Sequence, residues 1–250
     1  MSKNEIKCLL SLANSGDNKN LTEKLDDFLN KSESARVHDI VHQKSGDGLL
    51  HILARFGHTH CLEILLLKPR VFVDQRNLED KTALHEAAQC GQKEALKLLL
   101  KSGAQVNSLK RADWTPLMLA VTKPDNLGCV ELLVEGGADV QLVNKDGWTA
   151  FHLAVRTGDL SMVEYLLQGW PGCWDTVSKN GRTVLHTACL AGQEQVVRKL
   201  LQVMDMSRVN CQDSCGSTPV MDAVRGDYLD CVQHLLAVKD LDLGVVDRYA

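Results

Sequence analysis

Four histidines recur in step along the chain, and imidazole is the side chain best suited to bind a metal or move a proton near neutral pH. His51, His85, His152 and His186 each stand three residues after Gly48, Thr82, Thr149 and Thr183. Such a ladder serves either as metal ligands or as neutral rings, each with one hydrogen-bond donor and one acceptor. Cys211 and Cys215 add two soft ligands. A closed zinc site takes four, and no second Cys/His pair repeats that spacing, so no metal is expected. For catalysis the chain carries no nucleophile elbow and no phosphate loop, and Gly136-Gly137 closes a repeat instead of cradling a phosphate. No catalytic residue, cofactor or enzymatic activity is expected.

A longer phrase positions the histidines. Thr82-Ala83-Leu84-His85 returns as Thr115-Pro116-Leu117-Met118, Thr149-Ala150-Phe151-His152, Thr183-Val184-Leu185-His186 and Thr218-Pro219-Val220-Met221. With a weaker first copy at Gly48-Leu49-Leu50-His51, the steps are 34, 33, 34, 34 and 35 residues. An interval this regular marks a repeat array. Each full copy is followed by an aliphatic triplet such as Leu96/Leu99/Leu100 or Val197/Leu200/Leu201, at the spacing of one helix face. Two copies close on Gly-Ala, at Gly103-Ala104 and Gly137-Ala138.

The plan of one copy follows from these residue types. The Thr hydroxyl can cap a first short helix, whose first position suits Pro116 and Pro219. Gly57, Gly91, Gly158 and Gly192 then turn the chain into the second helix. Two copies depart from the plan. Lys123-Pro124-Asp125-Asn126 is one residue longer and carries a proline, which predicts an altered turn with the register kept. Gln168 to Trp174 replaces the Gly-Ala ending and predicts a longer, aromatic loop.

The ends and the composition narrow the class further. Residues 1–43 hold two helical patterns, the second with Leu21, Leu25 and Leu29 at helical spacing, and read as a capping, degenerate repeat ahead of an array at 44–250. Leu241 to Ala250 look like the loop that opens another repeat, so the chain is expected to be cut off before a C-terminal cap. Net charge is −4, from 28 basic and 32 acidic residues, with no basic stripe for nucleic acid. The N-terminus lacks the apolar core of a signal peptide, and the aliphatic run Ile64 to Leu67 is too short to cross a bilayer. Nine scattered cysteines then predict reduced thiols in the cytoplasm or nucleus, and the chain is expected to be a monomer without membrane or nucleic-acid contacts.

In these recurring phrases the sequence resembles the ankyrin repeat family, over roughly residues 44 to 250. The resemblance implies an all-α solenoid of stacked helix-turn-helix units with projecting loops. It gives each histidine the task of linking consecutive loops by hydrogen bonds. It also implies a concave face, formed by the residue before each Thr and the fourth residue after it, that binds a folded protein. On this chain those positions, with their flanks, are Lys81, Glu86, Arg111, Trp114, Leu119, Trp148, Leu153, Arg156 and Arg182. Trp and Arg dominate binding energetics, which favours the groove of repeats two to four as the recognition surface.

The run from Leu109 to Met118, with Asn144-Lys145-Asp146-Gly147-Trp148, is similar to a branch of the family whose partner is alanyl-tRNA synthetase. That similarity implies lysines that accept misactivated serine and so prevent its misincorporation. Lys145 falls where an acceptor is expected, while Arg111 and Asp175 occupy two further such places, with Lys110 and Lys179 nearby. The alternative is an architectural adaptor that joins proteins with no effect on chemistry.

Overall fold

Every copy of the phrase starts a helix, and its leading residue is the N-cap: Gly48, Thr82, Thr115, Thr149, Thr183 and Thr218 all hold extended backbone angles. The hydroxyls of Thr115, Thr149 and Thr183 accept the amide three residues on, at 3.1, 3.3 and 3.4 Å. A computed structural model describes residues 3–15, 18–31, 41–68 and 71–248 of the chain. Among them are fourteen α-helices and no strand longer than an isolated bridge, which makes the fold all-α. No helix among the described residues is long and apolar enough to cross a membrane.

The chain divides into two compact units, Met1–Asp139 and Val140–Ala250. The first holds α1 (Lys3–Ser15), α2 (Asn18–Lys31), α3 (Leu49–Phe56), α4 (Thr59–Leu66), α5 (Ala83–Cys90), α6 (Lys93–Lys101), α7 (Pro116–Ala120) and α8 (Leu127–Glu135). The second holds α9 (Ala150–Thr157), α10 (Leu160–Gly169), α11 (Val184–Leu190), α12 (Glu194–Val203), α13 (Pro219–Arg225) and α14 (Leu229–Leu236).

Both units are two layers of helices. In the first, α1, α3, α5 and α7 pack in sequence as an inner layer, backed by α2, α4, α6 and α8. In the second, α9, α11 and α13 are backed by α10, α12 and α14. The inner helices carry Ala87, Ala88, Ala120, Ala154 and Ala188, all fully buried, so neighbouring backbones approach closely. The outer helices bury the middle residue of every aliphatic triplet, Leu99, Leu133, Leu166, Leu200 and Leu235; burying one leucine such as Leu96 or Leu200 stabilises by roughly 1.5–3 kcal/mol. Helices α1 and α2 pack on α3 and α4 as one more helical pair. Tyr249 and Ala250, the end of the predicted opening loop, lie outside the described residues.

The turns between the paired helices show a tie that sequence reading did not anticipate. Gln193 Nε2 donates to the carbonyl of Arg156 at 3.0 Å, and Gln92 Nε2 donates to that of Arg55 at 3.1 Å. Each glutamine comes from the following turn and lies over a glycine, Gly158 or Gly57. Where the proline-bearing turn replaces glycine, Asp125 takes the left-handed conformation (φ 57°) and buried Asn126 donates to the carbonyls of Ala88 and Ala120 at 3.0 and 2.9 Å. The altered turn therefore keeps register, with α8 starting at Leu127.

Gly158 has φ 82°, and a Cβ there would lie 2.0 Å from Gln193 Oε1. Gly158→Ala is expected to destabilise the protein by about 1–2 kcal/mol from backbone strain alone, read as a lower midpoint in chemical denaturation.

Candidate functional site

In three loops the final turn is set by an Asn or Asp five residues before the Thr. Asn77 Oδ1 accepts the amides of Glu79 and Lys81 at 2.9 and 3.0 Å, and Asn144 Oδ1 accepts those of Asp146 and Trp148, both at 2.9 Å. Asp213 Oδ1 does the same for Cys215 and Ser217 at 2.8 and 3.0 Å. These bonds bring the residue before each Thr, among them Lys81, Trp148 and Ser217, to the start of the next helix.

Histidine then fastens that residue to the preceding repeat. In the capping boxes of α5, α9 and α11 the histidine Nδ1 accepts the backbone amide of the Thr, at 3.1, 3.4 and 3.2 Å. Nδ1 is therefore unprotonated, and the proton sits on Nε2. From there His51 donates to the Lys81 carbonyl at 2.8 Å, His85 to that of Trp114 at 3.2 Å and His186 to that of Ser217 at 2.9 Å. The loop-linking task implied by the family resemblance is thus met by these three rings. His152 is the exception: its buried Nε2 lies near the Arg182 carbonyl without closing a well-formed hydrogen bond. Among the described residues no three His, Cys, Asp or Glu side chains gather as a metal-binding group.

The main chain of the pre-Thr residue does structural work; its side chain is buried at Ser217 and keeps a solvent-facing edge at Trp114 and Trp148. Trp114, in the first unit, is half-buried with Lys110 Nζ 5.5 Å from its ring centroid. Trp148, in the second, is half-buried between the exposed guanidinium of Arg156, 5.0 Å from its centroid, and the ring of His152 at 6.0 Å. Arg111 is exposed, on a loop whose Ala112 and Asp113 are both left-handed. Lys145 and Lys179 are exposed as well. Lys110 is partly buried, and that burial, with the nearby charge of Lys81, lowers its pKa.

The second register, four residues after the Thr, is corrected by the structure. Glu86, Leu119 and Leu153 were expected to point outward, yet all three are buried. Leu119 lies in a five-residue helix of which every residue is buried, and Leu153 in a run buried from Ala150 to Val155. These helices are too short and too tightly flanked to keep a free face. Glu86 is buried because Arg55, 31 residues earlier, bonds its Oε2 at 2.9 Å while Lys81 pairs with Oε1 at 3.3 Å. Arg55 also bonds Asp47 at 2.8 Å.

Burial would raise the pKa of Glu86 and of Asp47. Hydrogen bonds outweigh it, from Arg55 to Glu86 and from Asn77 and Arg55 to Asp47, and leave both lowered. Lys81 and Arg182 are largely committed inside the protein, Lys81 to Glu86 and Gln89 and Arg182 to Asp213 at 3.1 Å. The Arg55–Asp47–Glu86 network lines an open groove of about 750 Å³ in the first unit. In the second unit the predicted aromatic loop forms the wall of another open groove of about 680 Å³, between Trp170-Pro171 and Val140, Val143 and Val177. Of the expected contact residues, Trp114, Trp148, Arg111 and Arg156 keep a solvent-facing side chain.

The family described as "Ankyrin repeats (3 copies)" matches the chain at residues 9–110, 107–173 and 171–247. Protein phosphatase 1 regulatory subunit 12A of Mus musculus is 44% identical over 98 residues, covering 39% of this chain and 9% of that protein. A transient receptor potential cation channel subfamily A member 1 homolog of Caenorhabditis elegans is 33% identical over 90 residues, 36% of this chain and 7% of its own length. Alpha-latroinsectotoxin-Lt1a of Latrodectus tredecimguttatus is 36% identical over 81 residues, 32% of this chain and 6% of the toxin. The matched stretch thus spans less than a tenth of each of these relatives.

Burial holds His85 and His152 at a pKa of about 4, and lowers those of His51 and His186. In the unfolded chain each titrates near 6.5. Between these values the unfolded state binds more protons, so stability is complete above about pH 6.5 and is lost as pH falls toward 4. The thermal midpoint is expected to hold from pH 8 to 7 and to drop steeply between pH 6.5 and 4. A flat profile over that window would contradict neutral buried rings.

Proposed function

This chain belongs to the ankyrin repeat family, whose repeats are protein–protein interaction modules, and from that premise we propose that it holds a folded partner through the side chains of Trp148 and Arg156. The observation that carries the reading is the Arg156–Trp148 stack, 5.0 Å from guanidinium carbon to ring centroid, with Arg156 exposed. Nothing in the repeat's own bonding needs the indole, since the amide of Trp148 already meets Asn144 and its carbonyl closes the loop. A half-exposed indole braced by a cation is the kind of anchor that concentrates binding energy.

As to the partner, the reading takes alanyl-tRNA synthetase, on the resemblance of the Leu109–Met118 run to ankyrin repeat domain-containing protein 16. The accompanying chemistry is aminoacyl transfer to a lysine amine. The free amine attacks the carbonyl carbon of seryl-adenylate, an amide forms, AMP leaves and the amine gives up its proton. Docking replaces a bimolecular encounter and supplies the rate. Partial burial beside Trp114 lowers the pKa of Lys110 and so raises its free-base fraction, while Lys145 and Lys179 offer exposure. The rival reading, an adaptor without chemical effect, is favoured by Arg111 and Asp175, which stand where acceptor lysines are expected. Asp175 is moreover paired with Arg208 at 2.5 Å. On either reading the protein acts in the cytoplasm or nucleus.

Trp148→Ala with Arg156→Ala is expected to weaken partner capture by about 2 kcal/mol or more, roughly 30-fold in Kd, with helicity unchanged. Undiminished binding would remove the surface assignment. Incubation with the synthetase, ATP and serine is expected to yield seryl-lysine by mass spectrometry at Lys110, Lys145 or Lys179; its absence, with binding intact, would leave the adaptor.

A further inference from the structure

The seventh residue after each capping residue stands at or just past the end of an inner helix, and along the chain it is Arg55, Gln89, Thr122, Arg156, Leu190 and Arg225. Three of the six are arginines, and two of those are matched by carboxylates. Arg55 bonds Asp47 at 2.8 Å and Glu86 at 2.9 Å, while Arg225 pairs with Asp222 at 3.6 Å and with Asp247. Arg156 is exposed and, among the described residues, pairs with no carboxylate.

The places that supply carboxylates to the other two arginines hold uncharged side chains around this one. Asp47 precedes the capping residue of its repeat, and for Arg156 that place is Trp148. Glu86 is the fourth residue after the Thr of the following repeat; its counterpart here is Thr187, buried, with its hydroxyl donating to the Thr183 carbonyl at 3.3 Å. Asp222 is the fourth residue after the Thr of Arg225's own repeat, and its counterpart is the buried Leu153. The Trp148 ring, 5.0 Å from the guanidinium carbon, supplies a π-face but no acceptor oxygen. Beside them, on α11, which packs along α9, Leu190 holds the same register and is 44% exposed.

We propose that Arg156 receives the carboxylate of an aspartate or glutamate on the partner, with an apolar side chain of the same segment seated on Leu190. This rests on the surface proposed above and names the chemistry that surface recognises. Charge complementarity selects the occupant: a guanidinium presents a planar fork of donors that a carboxylate matches with two parallel hydrogen bonds. The partner's acid thus supplies to Arg156 what Asp47 and Glu86 supply to Arg55. Spacing fixes the second residue. Neighbouring helices pack roughly 8–10 Å apart, the reach of three residues in a polyproline-type segment, which also returns its side chains to one face at every third position.

The test is selection of a displayed library of random dodecapeptides on the full chain, with the enriched peptides then titrated by fluorescence anisotropy. Enriched sequences are expected to carry Asp or Glu three residues from an aliphatic or aromatic residue, and to bind Arg156→Gln about tenfold more weakly. Changing the peptide's acid to its amide should remove that difference, as a double-mutant cycle requires of a direct pair. Arg156→Glu should in turn favour peptides in which lysine replaces the acid. Circular dichroism is expected to be unchanged, because the Arg156 side chain faces solvent and its carbonyl keeps the bond from Gln193. Peptides that depend on Trp148 yet carry no acid, or bind Arg156→Gln undiminished, would overturn this proposal and leave the Trp148 surface standing. Peptides indifferent to Trp148→Ala as well, or no enrichment, would remove both.

Discussion

A buried neutral imidazole, accepting from its own capping residue and donating to the next loop, is the interaction on which the rest of the structure leans. No smaller side chain reaches both partners, and no permanently charged one could be enclosed so fully without an ion pair. Because Nδ1 takes the Thr amide, the tautomer is fixed, and Nε2 has one direction in which to donate. Three of the four rings complete this link. Loop placement therefore follows from helix capping, and two features that look separate in the sequence are one device.

That device decides which side chains are left for recognition. The residue before the Thr gives its carbonyl to histidine or to the loop turn, and its side chain is then sorted by local charge. Lys81 and Arg182 fall among carboxylates and are absorbed into pairs with Glu86 and Asp213. Trp114 and Trp148 meet no such partner and keep a face toward solvent, each beside a cation. Paired buried charges contribute little net stability, yet removing one partner is costly, so Arg55, Asp47 and Glu86 behave as a single unit.

Much of this was legible in the residues. The five Thr phrases and the Gly48 copy located the starts of six inner helices, the glycines located the turns, and the two irregular stretches appeared where the repeat plan had faltered. What stayed hidden depends on partners far apart in sequence. Glu86 reads as a surface carboxylate until Arg55 is brought to it from the preceding repeat. Leu119 and Leu153 sit in a register that a longer helix would expose, but helices this short, packed on their flanks, have no free face at that position. Periodicity reports which residues share a helix side; it does not report how many sides are covered. The Gln193 and Asn126 bonds escaped for a related reason, since a single polar residue in a turn carries no pattern.

The contact between Gly158 and Gln193 also bears on how the sequence can change over generations. A side chain at 158 would occupy the space that the glutamine amide fills, and the glutamine holds its place only because that space is empty. The two positions, 35 residues apart, thus form an epistatic pair: a mutation at one alters what is tolerated at the other. Lineages that shorten residue 193 lose the tie to Arg156 but gain room at 158, so the order in which such substitutions arise is constrained by a single missing methyl group.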